Sequence, residues 1–352
     1  MLRMATCRRL QELLADGRAD GRYTGAAITV GTRAGPAWTA TVGTHGGTDD
    51  ISVAPDSRFD AASVTKAVVT TTIALRLLEQ GRLGLGDTIG DHLPDEVSDA
   101  RADIKLYHLL THTSGLAAYY YDPDWTTPAV AREAILTADV LECEPGTRFT
   151  YSCLNFVHLA AVLRAAGNAS LATLADHHVF EPAGMDDSQL GPIRDVPQPV
   201  VATYDHDHED RPLVGEIHDP IARALSGESG NAGLFTTVTD LAQFATALLD
   251  RSPLLAPSTH TAMRRDWLAG FDRAHGLGWR RFHESRPAGN WSTASFGHTG
   301  YTGTSIWIDP AADRFVVLLT NEVYRGKENG FPRLRERIHG VAGQFSGPHP
   351  NS

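Results

Sequence analysis

Residues 59–80 read Phe-Asp-Ala-Ala-Ser-Val-Thr-Lys-Ala-Val-Val-Thr-Thr-Thr-Ile-Ala-Leu-Arg-Leu-Leu-Glu-Gln. From Val64 to Gln80 this predicts a helix so apolar that nearly every face must be covered, so the rest of the chain has to wrap it and its N-terminus becomes a fixed point. Ser63 starts that helix. A three-residue spacing puts Ser63 and Lys66 one above the other on the same face, where the amine can reach the hydroxyl. A lone lysine among Val64, Val68, Val69, Ile73 and Leu77 is costly to bury without a purpose. The chain has only three lysines, Lys66, Lys105 and Lys327, among 31 basic residues, and arginine could not serve as a titratable base. A serine is a weak nucleophile that needs an adjacent base, and a lysine whose pKa is lowered by desolvation is one. The N–H groups and dipole at a helix start favour an oxyanion there.

Composition narrows the partners. A net charge of −11 repels nucleic-acid backbones and anionic lipid, and no basic stripe overrides it. No apolar run is long enough to span a bilayer, and the first ten residues carry no recognisable export signal, so a cytoplasmic protein is expected. Cys7, Cys143 and Cys153 are odd in number and lack CxxC spacing, which suggests neither a disulfide framework nor a zinc site. The loop Tyr204-Asp-His-Asp-His-Glu-Asp210 has metal-ligand residue types but suits a solvated surface better. Neither metal nor cofactor is expected.

Leu10, Leu13 and Leu14 predict a first helix. Gly25-Ala-Ala-Ile-Thr-Val-Gly and Ala37-Trp-Thr-Ala-Thr-Val-Gly predict a hairpin, and Ser305-Ile-Trp-Ile-Asp with Arg314-Phe-Val-Val-Leu-Leu-Thr predicts a second, before a closing helix near 331–344. Helical patterns dominate between about 60 and 250. A mixed α and β fold follows: an antiparallel sheet flanked by helices, built from residues 1–56 and 216–352, with an all-helical domain, 57–215, inserted and the site in the cleft between.

Further segments fall in a fixed order. Ser63-Val-Thr-Lys66 is followed by Leu77-Leu-Glu-Gln-Gly-Arg-Leu-Gly-Leu-Gly-Asp-Thr-Ile, Leu109-Leu-Thr-His-Thr-Ser-Gly-Leu116, Pro145-Gly-Thr-Arg-Phe-Thr-Tyr151-Ser, Phe180-Glu-Pro-Ala-Gly-Met185, Gly230-Asn-Ala-Gly-Leu-Phe235 and Gly297-His-Thr-Gly300. This ordered set resembles the serine β-lactamase and penicillin-binding-protein superfamily, nearest its class C and family VIII esterase branch, over most of residues 55–310.

The resemblance implies that Ser63 attacks a carbonyl and is acylated, that Lys66 and Tyr151 share its proton, and that the backbone N–H groups of Ser63 and Tyr301 form the oxyanion hole. It places His298, Thr299 and Gly300 in the third motif and Asn231 in a loop beside the site. His112 would be a structural histidine below it. His218 and Asp219, in Glu216-Ile-His-Asp219, touch substrate or fix a loop. Tyr120, in the run Tyr119-Tyr-Tyr121, forms an acyl-binding wall or covers core.

Two positions depart from the pattern. The second motif is Tyr151-Ser-Cys153 where Tyr-x-Asn is usual, and a cysteine cannot supply a carboxamide to a substrate amide. Asn155, two positions on, would point elsewhere. The third has His298 in place of lysine, a weaker anion site. Both point away from β-lactams. The expected activity is a serine hydrolase, an esterase on a small ester or activated amide. The alternatives are a cytoplasmic acyltransferase with an amine or alcohol acceptor, a weak β-lactamase or D-alanyl peptidase, and a sensor acylated without turnover.

Overall fold

The computed structural model describes residues 2–47, 51–194, 199–206, 210–249, 254–282, 290–326 and 330–345. Strands β1 (Gly25–Thr32) and β2 (Gly35–Gly43) form the first expected hairpin, with a register irregularity between Val30 and Gly31. Gly31 is needed there, because a Cβ would meet the Phe315 ring at 2.3 Å. Four short strands come from the middle of the chain: β3 (Phe59–Asp60), β4 (Gln189–Leu190), β5 (Thr203–Asp205) and β6 (Arg211–Leu213). They are followed by β7 (Leu234–Thr236), β8 (Arg280–Arg281), β9 (Phe296–Thr299), β10 (Ser305–Asp309) and β11 (Arg314–Thr320).

The main sheet is antiparallel, in the order β2-β1-β11-β10-β9-β8, and so joins both ends of the chain. Its two faces follow the two-residue alternation of a strand. Ala26, Ile28, Val30, Val316 and Leu318 pack with Leu10, Leu13 and Leu14 of α1 (Leu2–Ala19) and with Phe331 and Leu334 near the C-terminus. Ala27, Val317 and Leu319 point into the larger core on the other side.

That larger core surrounds the apolar helix read from the sequence. It starts with a π turn, Lys66–Thr71, and continues as α2 (Thr72–Glu79), with every residue from Lys66 to Thr72 buried. The threonines account for the wider turn. The Thr71 hydroxyl donates to the Lys66 carbonyl at 2.8 Å and the Thr70 hydroxyl to the Gly230 carbonyl at 2.7 Å. Inserted turns of this kind recur at functional sites. The same core takes in α3 (Leu106–Thr111), α4 (Cys153–Gly167), α5 (Pro220–Ala224) and α6 (Val238–Leu249), while α7 (Phe331–Ala342) packs with α1 on the other face of the sheet. A second small sheet, β3-β7-β4, lies at the start of the central helix. No helix among the described residues is long and apolar enough to cross a membrane.

Candidate active site

The approach to Ser63 is held from several directions. Asp60 ends β3, and its buried carboxylate accepts the Ala62 N–H and the His218 N–H, each at 2.8 Å. Burial raises the Asp60 pKa to about 6, although those two N–H bonds oppose the rise. Ala62 adopts a left-handed φ of 46°, unfavourable for a residue with a Cβ, so the surrounding bonds must hold it. The Ala61 N–H reaches Leu234 at 2.8 Å, while Thr302 and Thr304 donate their hydroxyls to the carbonyls of Asp60 and Ala61 at 2.7 and 2.9 Å. Gly300 permits this closeness, since a Cβ there would come within 2.4 Å of the Ala61 carbonyl oxygen. The Ser63 N–H enters no hydrogen bond among the described residues.

Lys66 is fully buried, and its Nζ donates to Ser63 Oγ at 2.9 Å and to the Asn231 carbonyl at 2.8 Å, with Cys153 Sγ at 3.5 Å. The sequence reading expected burial to depress its pKa. The pKa instead rises: burial disfavours the ammonium, but the charges that Cys153 and Tyr151 acquire as they ionise, with Asp219, outweigh it. Ionisation of Cys153 or Tyr151 thus favours the ammonium form of Lys66.

Tyr151 comes from the stretch before α4. The Gly146 N–H bonds to Thr113 at 2.7 Å, the Thr150 N–H to His112 at 2.9 Å and the Cys153 N–H to Ala118 at 2.8 Å, which fixes the run end to end. The Tyr151 ring lies between two cations, with Lys66 Nζ and the Arg280 guanidinium each 5.3 Å from its centroid. His112 is buried beneath, as expected. Its Nδ1 accepts the Ser152 N–H at 3.1 Å and the Asn155 amide at 3.2 Å, and its ring is 4.5 Å from Tyr151. Burial holds His112 well below the ordinary imidazole range. Asn155 turns away from Lys66, as its helical position implied, and also accepts the Ser114 hydroxyl. Burial raises the Cys153 pKa despite Lys66 beside it, so the thiol form is favoured.

Ser63 opens into a cavity of about 340 Å³ whose walls include Tyr119, Tyr151, Cys153, His218, Asp219 and Tyr301. Several expected substrate contacts fall elsewhere. Tyr120 packs edge-on against Trp125, so it covers core while Tyr119 forms the wall. His298 is fully buried, its Nδ1 directed at the Thr299 carbonyl at 2.9 Å, and it does not line the cavity. Burial, reinforced by Arg280 and Lys66, keeps His298 well below its ordinary pKa, so it offers no anion site. Thr299 lines a neighbouring groove with Arg280 and Trp307. Asn231 is buried behind the wall and joins it through its carbonyl to Lys66 and its amide to Asp219 at 3.1 Å.

The strand bearing the third motif is not the sheet edge, because Arg280 and Arg281 of β8 pair with Gly297 and Phe296. His298 and the residues after it extend beyond that pairing. Sequence reasoning missed Asp60 and Arg280, and within the aromatic run it singled out Tyr120 where Tyr119 lines the cavity. Asp60 was visible as the one charge inside the apolar run before Ser63, whereas Arg280 had no local signal. Asp207, His208 and Glu209 of the His/Asp loop lie outside the described residues. Asp205 of that loop pairs with Arg223 at 2.7 Å.

Known proteins bear on the family and the fold. A protein named N-acetylmuramyl-L-alanine amidase from Bacillus subtilis (strain 168) is 27% identical over 300 residues, 75% of this chain and 68% of its own. The structure of EstCE1, described as a hydrolase with promiscuous acyltransferase activity, superimposes with a TM-score of 0.79 at 23% identity over 96% of this chain and 99% of that one. A β-lactamase/D-alanine carboxypeptidase from Pseudomonas syringae also gives 0.79, at 19% identity over 98% and 100% of the two chains. These two structures share the fold. The sequence profile of the Beta-lactamase family matches residues 10–339, nearly the whole chain, which therefore belongs to that family as a serine hydrolase or acyltransferase.

Proposed function

We propose that the chain is an esterase-type acyl hydrolase acting on a small ester through an acyl-enzyme on Ser63. The observation that carries this reading is the 2.9 Å contact between the buried Lys66 Nζ and Ser63 Oγ, beside the cavity that Ser63 lines. Ser63 Oγ attacks the ester carbonyl as its proton passes to the Tyr151 oxygen, with the Lys66 ammonium stabilising the phenolate that takes part. The carbonyl oxygen gains negative charge against the N–H groups of Ser63 and Tyr301. The C–O bond to the alcohol then breaks, and Tyr151 returns the proton to the leaving oxygen. Water repeats the sequence on the acyl-Ser63 ester and releases the acid.

Two features favour an ester over a β-lactam. Cys153 presents no carboxamide to the cavity, and His298 is buried and neutral, so the third motif brings no side-chain cation to a substrate carboxylate. Transfer to an amine or alcohol uses the same intermediate, and the fold shared with EstCE1 supports that second reading.

With p-nitrophenyl acetate, the expected result is steady turnover that Ser63→Ala lowers by at least about 1,000-fold. Turnover surviving that change overturns the assignment, and a single equivalent released without further turnover favours an acylated sensor. Product masses with added amines and alcohols separate transfer from hydrolysis.

A further inference from the structure

Asp219 begins the short helix α5, and one carboxylate oxygen does all its structural work. Oδ1 accepts the Ala222 N–H at 2.9 Å and the Asn231 amide at 3.1 Å. Oδ2 has no hydrogen-bond or ion-pair partner among the described residues, and Asp219 lines the cavity that holds Ser63. The nearby groups do not answer its charge by direct contact. Lys66, whose ammonium form Asp219 favours from a distance, donates to Ser63, Asn231 and Cys153 and makes no hydrogen bond to Asp219. Arg223 pairs with Asp205, and His218 directs Nε2 to the Tyr204 carbonyl at 3.2 Å while burial keeps its ring below the ordinary range. Asp60 is turned inward onto two N–H groups.

A second acceptor belongs to the same cluster. The Asn231 amide is oriented by its donation to Asp219, which leaves its Oδ1 fully buried and without a partner. Buried acceptors are rarely left so. The cavity therefore presents an open carboxylate beside Ser63, set in walls of Tyr119, Tyr301, Pro220 and Ala232. A carboxylate in that setting selects for a cation with N–H donors.

We propose that Asp219 receives an ammonium group carried by the substrate, so that the site selects amino esters over their uncharged isosteres. This rests on the acyl-enzyme reading of Ser63, and the ammonium belongs either to the acyl half or to the alcohol half.

The Ser63→Ala protein binds esters without acylation, so calorimetry on it tests recognition apart from chemistry. Alanine ethyl ester is compared with ethyl isobutyrate, where a methyl replaces the ammonium, and 3-aminopropyl isobutyrate with butyl isobutyrate. At about pH 7 the expected result is at least about tenfold tighter binding for the ammonium partner of one pair, which names the half. N-acetylalanine ethyl ester, with its charge removed, should lose the advantage if the acyl half is bound. Adding Asp219→Asn keeps an oxygen for Ala222 and should bring the ratio within each pair close to one.

Equal binding within both pairs overturns the inference, as does an ammonium preference that survives Asp219→Asn. If the added change prevents folding, the comparison of isosteres in the Ser63→Ala protein decides alone. Neither result touches the acyl-enzyme reading, which stands or falls on p-nitrophenyl acetate turnover.

Discussion

A lysine in a dry interior keeps its proton only where anions or acceptors outweigh desolvation. Lys66 meets that condition through contacts that no local pattern displays: the Asn231 carbonyl is 165 residues away in sequence and Cys153 is 87. The spacing from Ser63 to Lys66 was legible because a helix converts it directly into proximity. The protonation state was not, because it depends on what the rest of the fold brings over the amine. In the proposed mechanism Lys66 stays cationic and Tyr151 is the base. Accordingly, Tyr151→Phe should lower kcat on p-nitrophenyl acetate by about 100- to 10,000-fold. Intact-mass spectra of the variant should show little acyl-Ser63 early in the reaction. A kcat within a few-fold of the unchanged protein would return the base role to Lys66.

At the scale of elements, the site is a junction between a helix start and the turn beyond a strand. The apolar run predicted the central helix and the β-branched runs predicted β1, β2, β10 and β11, whereas the turn after β9 was located only through the family resemblance. Contacts set by aperiodic stretches were not legible. In Tyr119-Tyr-Tyr121 no period says which ring faces the cavity, and the fold chose Tyr119 while Trp125 took the edges of Tyr120 and Tyr121. The π turn likewise depends on Thr71 fitting over Gly278, where a Cβ would meet the hydroxyl at 1.8 Å.

The junction itself hangs on Gly300. Gly300→Ala forces the Thr304 hydroxyl, 2.0 Å from the new Cβ, and the Ala61 carbonyl to move, which pulls the turn bearing Tyr301 away from Ser63. Acylation by p-nitrophenyl acetate should slow by at least about 100-fold, and thermal melting should fall by several degrees at a cost of about 1–3 kcal/mol. Unchanged acylation would show that the Tyr301 N–H takes no part in the oxyanion site.

Across the whole molecule, both sides of the main sheet carry buried histidines with a common consequence. Burial lowers the pKa of His158 and His275 to about 4 and of His339 to about 3. A folded pKa below the unfolded value of 6.5 means that, as pH falls through 6.5, the unfolded chain takes up protons the folded one refuses. Stability is therefore lost on acidification, between about pH 6.5 and 4 for His158 and His275, and each of the three accounts for about 2 kcal/mol at pH 5. Asp60 acts in the opposite direction, since its raised pKa of about 6 makes the folded state take up a proton first. One carboxyl returns only about 1 kcal/mol over the same interval, so the histidines win. The sum, about 6 kcal/mol before that offset, is comparable to the entire stability of many domains. Urea titrations should show a steep fall in unfolding free energy from pH 7 to pH 5. His158 gives the cleanest single check: its ring is fully buried on α4, Nδ1 bonds within its own helix to Leu154 at 2.8 Å, and Nε2 has no partner. His158→Leu removes the titration while keeping an apolar side chain, and should lose about 2 kcal/mol less than the unchanged protein over that interval. Parallel pH profiles for the two proteins would mean that His158 accepts a proton inside the fold as readily as in the unfolded chain.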